Sequence, residues 1–171
     1  MIDNLELYIL NFDLFGKNFP KSQKISPDAF VQIAMQLAFY RLHNKLGNTY
    51  ESGSLRKFNL GRTDIIRTCS SDVVEFLKST ENLCDGGVNS GRLMLKAINS
   101  HRLYTNQVVN CESFDRHFLG LKLISIENNI ELSDFYKDIA FQRMGVYHIS
   151  SSQVSSKHAA VTSYGPGNLR V

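Results

Sequence analysis

Residues 50–63 read YESGSLRKFNLGRT, and this stretch decides how the chain is organised. It is too polar and too punctuated by Gly53 and Gly61 for a helix, so it reads as strand and loop as far as about Ser70. In a strand, Tyr50, Ser52 and Ser54 would point to one face. A face of hydroxyls either lines a polar ligand site or simply meets water and its neighbours.

Upstream, Ser26-Pro27-Asp28 announces a helix: Ser as N-cap, Pro at the first helical position, an acid in the first turn. From there to about Leu46 two apolar stripes run along it, Phe30/Ile33/Ala34/Leu37 and Val31/Met35/Ala38/Leu42. A helix apolar on most sides is expected to be buried, and Gly47-Asn48 is expected to end it. Before it lies FGKNFPKSQK, a loop broken by Gly16 and Pro20, and before that Leu5 to Phe12, apolar and β-prone enough for a strand.

Downstream, a short helix is expected from Ser71 to about Thr80, then a loop at residues 83–87. A long helical stretch follows from about Ser90 to Asn128, allowing a break near Cys111, with Leu119, Leu121, Leu123, Ile124 and Ile126 on its apolar face. A helix from Ser133 to Met144, a strand from Val146 to Ile149, and a last strand and turn in AAVTSYGPGNLRV complete the pattern. No repeat, low-complexity tract or interdomain linker interrupts it. The 171 residues suit one domain.

Composition narrows the classes. The chain is 43% hydrophobic and 20% charged, with 19 basic residues against 16 acidic and a net charge of +3. That balance, without a clustered basic run, is not a nucleic-acid footprint. An anionic small ligand held by a few lysines remains compatible. No apolar run reaches the ~18 residues a transmembrane helix needs. The start, MIDNLELYILNFDLF, has neither a basic n-region nor the Arg-rich, acid-poor character of a transit peptide. Cys69, Cys84 and Cys111 show no metal-ligand spacing and read as reduced thiols.

Several side chains could carry chemistry. Arg116 lies among Phe114, Phe118 and Leu119; a planar fork in apolar surroundings needs a carboxylate, from a ligand or from an internal acid. Ser150-Ser151-Ser152 follows a short apolar strand, as oxyanion donors or as ordinary loop. Lys17 and Lys21 share a loop, where two ammonium groups could meet a phosphate. His43, His101, His117 and His148 have no acid-and-nucleophile pattern around them.

The motifs as a set resemble the carnitine/choline acyltransferase family, over nearly the whole chain. FGKNFPKSQKISPDAF (15–30), YESGSLRKFNLGRT, LGRTDIIR (60–67), FDRHFLGLKLISIE (114–127), HISSSQV (148–154) and YGPG (164–167) occur in family order. LGRTDIIR and FDRHFLGLKLISIE are most similar to the carnitine acetyltransferase branch. The resemblance implies an α/β fold, a mixed sheet flanked by helices like a chloramphenicol-acetyltransferase half, incomplete here as a single partial C-terminal-half domain.

The same resemblance assigns roles. Tyr50, Thr63 and Arg116 would meet the carnitine carboxylate, with Ser52 in the same polar wall and Ser150 a further carnitine contact. Ser152 would donate to the oxyanion. Lys17 and Lys21 would meet the phosphates of coenzyme A, and Asp28, Ser54 and Gln153 its pantetheine arm. Tyr164 stands where the family has a Phe beside the trimethylammonium group, a site for cation–π attraction. Thr162 occupies the acyl-length gate, where acetyl-specific members carry Met.

The implied reaction is transfer of a short acyl group, acetyl by branch, between coenzyme A and carnitine. Carnitine and acyl-CoA are then the partners, coenzyme A is a co-substrate, and no cofactor or metal is held permanently. The family's catalytic histidine belongs to the other half, whose HAP-type segment is absent here, so the chain alone is expected to be inactive. After Tyr164-Gly165-Pro166 the sequence leaves the family pattern for GNLRV. Family membership implies a mitochondrial or peroxisomal location. Two alternatives are an inactive truncated binding module and a choline O-acetyltransferase. Choline lacks the carboxylate that Arg116 and Thr63 would grip.

Overall fold

The computed structural model of the chain describes residues 6, 8–81 and 87–152. Within them the order is α1 (Asn18–Ser22), α2 (Pro27–His43), β1 (Thr49–Ser54), β2 (Thr63–Ile66), α3 (Ser71–Ser79), α4 (Val88–Val109), α5 (Asp115–Glu127), α6 (Asp134–Lys137), α7 (Ile139–Met144) and β3 (Ile149–Ser151). The strands form a mixed sheet in the order β2-β1-β3, with β1 antiparallel to β2 and parallel to β3. The expected α/β organisation with flanking helices is present.

Local chemistry sets the boundaries. The Ser26 hydroxyl accepts from the Ala29 amide at 3.3 Å, Pro27 opens α2, and Asn44 closes it in the left-handed conformation, three residues before the expected glycine. Ser70 caps α3 by accepting from Val73 N. The long helical stretch does break near Cys111, whose φ is 61°. The helix expected over 133–144 is two, because Asp138 is extended and its carboxylate caps a new start at Ala140 and Phe141.

The core lies where α2, α3 and α4 meet, built from Ala29, Ile33, Val73, Phe76, Leu77, Leu93, Ala97 and Ile98. Each such large aliphatic or aromatic side chain contributes about 1.5–3 kcal/mol when fully buried. Alternation then sorts the sheet. Thr49, Glu51 and Gly53 share one face with Asp64, Ile66 and Ser151. Helices α2 and α4 cover that face: Gln36 bonds Thr49, Gln32 bonds Ser151, and His101 meets Glu51. A Cβ on Gly53 would lie 2.7 Å from Val108 Cγ1, so glycine there lets α4 sit close on the strand.

Several expectations are corrected. Residues 6 and 8–12 form no strand; Tyr8, Ile9 and Leu10 are exposed, with no strand beside them among the described residues to complete a ladder. Helix α2 is not buried on most sides. Its covered stripe is Ala29, Gln32, Ile33 and Gln36, while Val31 and Leu42 face outward. The glutamines on the inner stripe each meet one sheet hydroxyl, Gln36 donating to Thr49 and Gln32 accepting from Ser151, while Gln36 Oε1 is buried without a partner. No α5 residue is buried among the described residues, so its leucine-isoleucine face is uncovered there. Strand β3 begins at Ile149 rather than Val146, since the Val146 carbonyl is taken by the Asn48 side chain. Cys69 is half-buried, with burial pushing its thiol pKa up, and Cys111 is exposed; both are free thiols. Cys84, most of the 83–87 loop and the terminal strand and turn lie outside the described residues.

The β1–β2 connection depends on Gly61, where a Cβ would sit 2.1 Å from the Leu55 carbonyl oxygen and 3.0 Å from that of Phe58. Both obstacles are backbone, so the loop itself must move. Gly61→Ala in the full chain is expected to cost about 2–3 kcal/mol and to lower Tm by roughly 5–10 °C. Gly91→Ala, on α4 with open space around its Cβ, should be neutral or slightly stabilising. Equal melting of the two variants would show that the loop is not tight at Gly61.

Candidate functional site

A cleft of about 490 Å³ opens at the end of the sheet, between α1, the start of α2 and the second half of α4. Lys17, Lys21, Asp28, Ser52, Ser54 and Ser152 all line it. Both lysines are exposed. The short α1 places them one turn apart, Lys17 just before the helix and Lys21 within it. Two solvated ammonium groups at a rim suit an anionic group such as a phosphate. Further in, the walls become acidic and hydroxylic, with Asp28, Glu51 and Ser151 beside Gln32.

Asp28 is held in the first turn of α2 by the same cap that starts the helix. Its carboxyl pKa is raised by burial first and by the Glu51 carboxylate second, with His101 pulling the other way. Glu51 is nearly buried, and its Oε2 accepts from Thr68 Oγ1 at 2.8 Å and meets His101 Nε2 at 2.7 Å.

The serine run is divided by the pleat. Ser151 is buried and donates to Gln32 Oε1 at 3.1 Å, a bond that a threonine hydroxyl could also make. Ser150 points the other way and sits in register with Tyr50. Ser152 follows the end of β3, exposed and on the cleft wall.

The second group gathers on the opposite sheet face. Arg116, near the start of α5, donates from Nε to the Thr63 carbonyl at 2.9 Å and from Nη2 to the Tyr50 hydroxyl at 3.5 Å. Tyr50 also packs edge-on to Tyr147. The Asp64 carboxylate approaches Arg116 only to 4.0 Å and is already engaged by Ser113 Oγ and the Ile65 amide. The Arg116 side chain remains 38% exposed. Arg67 is the contrast. It donates from Nε and Nη2 to both oxygens of Asp115, at 3.0 and 2.5 Å, and is 16% exposed. The internal ion pair of this region therefore belongs to Arg67, and Arg116 keeps an open edge.

Lys17, Lys21, Asp28 and Ser152 line the cleft; Tyr50, Thr63, Arg116 and Ser150 gather on the other face, with Thr63 meeting Arg116 through its carbonyl. Ser52 and Ser54 belong to both, since they line the cleft while strand alternation puts them on the face of Tyr50 and Thr63. Gln153, Thr162 and Tyr164 lie outside the described residues. Sequence reasoning missed Gln32 and Glu51, took Ser151 only as part of the serine run, and gave His101 no acidic partner, whereas it meets Glu51. The one available signal was the pair of glutamines spaced with Ala29 and Ile33 on α2, since polar residues on an inward stripe require partners.

Comparison with known proteins gives a consistent answer. The Choline/Carnitine o-acyltransferase family model matches residues 1–169. The chain is 46% identical over 166 residues to carnitine O-acetyltransferase of Rattus norvegicus, covering 97% of this chain and 26% of that protein. It is 38% identical over 168 residues to choline O-acetyltransferase of Sus scrofa, with the same coverage of each. It is 35% identical over 144 residues to peroxisomal carnitine O-octanoyltransferase of Bos taurus, covering 84% and 24%. The chain spans about a quarter of the length of these curated relatives. Motif order, family match and relatives agree, and the chain belongs to the choline/carnitine O-acyltransferase family.

Proposed function

We propose that this chain supplies the carnitine and coenzyme A walls of a carnitine O-acyltransferase that moves a short acyl group, acetyl first of all, between coenzyme A and carnitine. The observation that carries the choice of carnitine is the open edge of Arg116. A guanidinium fixed by Thr63 and Tyr50, with Asp64 no closer than 4.0 Å, is prepared for a second carboxylate. Choline has none. On this reading Tyr50, Thr63, Ser52 and Ser150 complete the carnitine wall, and Tyr164 faces the trimethylammonium group.

Coenzyme A enters through the cleft. Lys17 and Lys21 take its phosphates, while Asp28, Ser54 and Gln153 border the pantetheine arm. A general base from outside residues 1–171 removes the carnitine hydroxyl proton. The hydroxyl oxygen attacks the thioester carbonyl carbon, the carbonyl oxygen gains the charge, and Ser152 donates to it. Collapse expels the thiolate of coenzyme A, which recovers the proton. Two contacts support a base from elsewhere: His101 is buried against Glu51, and His148 Nδ1 accepts from the Asn48 amide at 3.2 Å. His43, His117 and His158 match no family base motif. Thr162 sets the acyl length, and the location is mitochondrial or peroxisomal, the bovine relative being a peroxisomal enzyme by name.

The test is a chimera in which this chain replaces the matching segment of the rat carnitine O-acetyltransferase. Release of coenzyme A from acetyl-CoA is expected to depend on carnitine at least about tenfold more than on choline, as the loss of a charge-assisted contact implies. A choline preference would select the choline O-acetyltransferase reading. A folded chimera inert with both substrates would select the inactive binding module. Residues 1–171 alone should give no carnitine-dependent release above a buffer blank.

A further inference from the structure

His101 takes no part in the reading above, yet it is among the least exposed polar side chains described, at 1% exposure against 6% for its partner Glu51. It sits on the face of α4 turned to the sheet, and Nε2 meets Glu51 Oε2 at 2.7 Å. Against a carboxylate oxygen that ring nitrogen is the donor. Thr68 Oγ1 donates to the same oxygen from β2's end of the sheet. Both protein contacts thus hold Oε2. Glu51 itself lines the cleft, which leaves its other oxygen to whatever occupies that space.

A nearly buried carboxylate without such partners is costly. A carboxylate only accepts hydrogen bonds. With Asp28 also on the inner wall and raised in pKa by burial and by Glu51, the inner end disfavours anions. The lysines at the rim favour them. A ligand matching this polarity has an anionic head outside and an uncharged, N–H-bearing arm within.

We propose that His101 is a positioning residue of the cleft, which fixes the Glu51 carboxylate as a hydrogen-bond acceptor for N–H groups on the uncharged inner arm of the ligand. This rests on the coenzyme A reading, and it assigns His101 a role in selecting the amide-bearing part of that molecule rather than its phosphates.

Two probes separate those parts: pantetheine carries the amides without phosphate, and 3′,5′-ADP carries phosphates without the amides. Their affinities for the full chain can be followed by ligand-observed NMR, with Tm recorded for each variant. His101→Asn, whose amide is too short to reach Oε2, is expected to weaken pantetheine about tenfold, the effect of one misplaced charge-assisted acceptor. It should leave 3′,5′-ADP within about twofold. His101→Gln, which keeps a donor near the Nε2 position, should recover pantetheine to within about threefold. Both amide variants keep a polar group in the site and are chosen to fold. Equal losses for both probes, or a His101→Gln protein as weak as His101→Asn, would make His101 a structural residue and overturn the proposal. If the unsubstituted chain binds neither probe, the coenzyme A reading fails and this inference falls with it. If it binds both and His101→Asn changes nothing, only this inference falls.

Discussion

Ser152→Ala in the rat chimera is expected to lower kcat by about 10²–10³-fold, the usual loss when one oxyanion donor is removed. KM for carnitine and for acetyl-CoA should change by less than about threefold, because the hydroxyl meets charge that develops only in the transition state. The serine run contains its own control. Ser151 is buried and spends its hydroxyl on Gln32, so Ser151→Ala should strand the Gln32 carbonyl and cost about 1–2 kcal/mol of stability, with kcat reduced far less. Ser152 is exposed on the cleft wall, beyond the last paired residue of β3. The strand thus separates a buried, bonded serine from the exposed neighbour proposed as oxyanion donor. Steady-state kinetics of the two variants decide the matter: a fall of less than about threefold in kcat for Ser152→Ala, or equal falls for both, would remove Ser152 from the oxyanion role.

How far these arrangements could be read beforehand depended on how local their causes were. Ser26-Pro27-Asp28 fixes the start of α2 through a cap, a preset φ and a first-turn acid, all within four residues, and the structure follows it. The grouping of Tyr50 with Thr63 and Arg116 came from motif resemblance, since nothing in a linear reading says that residues 53 positions apart will share a hydrogen bond. The Glu51–His101 contact was invisible for the same reason. Each residue alone is an ordinary acid in a strand or an ordinary histidine in a helix. Only the close approach of α4, permitted by Gly53 beneath Val108, brings them together. The expected strand is not formed at residues 6 and 8–12 because β-propensity describes how a side chain fits a pleated surface, and among the described residues no neighbouring strand supplies that surface.

Arg116 is proposed to select carnitine, and its replacement should show that as a split between the two substrates. In the rat chimera, Arg116→Asn is expected to raise KM for carnitine at least about tenfold and to leave KM for acetyl-CoA nearly unchanged, since a charge-assisted contact is worth about 1.5–3 kcal/mol. The separation of the two residue sets makes the split sharp. Arg116 lies on the sheet face of Tyr50 and Ser150, whereas Lys17, Lys21 and Asp28 line the cleft. Arg67 provides the comparison, because its guanidinium is closed on Asp115. Arg67→Asn strands a largely buried carboxylate and should cost roughly 3–5 kcal/mol of stability, so it should reduce the amount of folded enzyme without distinguishing carnitine from acetyl-CoA. Asn at 116 also removes the cation that disfavours a second positive group nearby, so choline should improve relative to carnitine. Parallel losses for carnitine and acetyl-CoA in Arg116→Asn, with no gain for choline, would mean that Arg116 serves the fold as Arg67 does and that the open edge is not a substrate site.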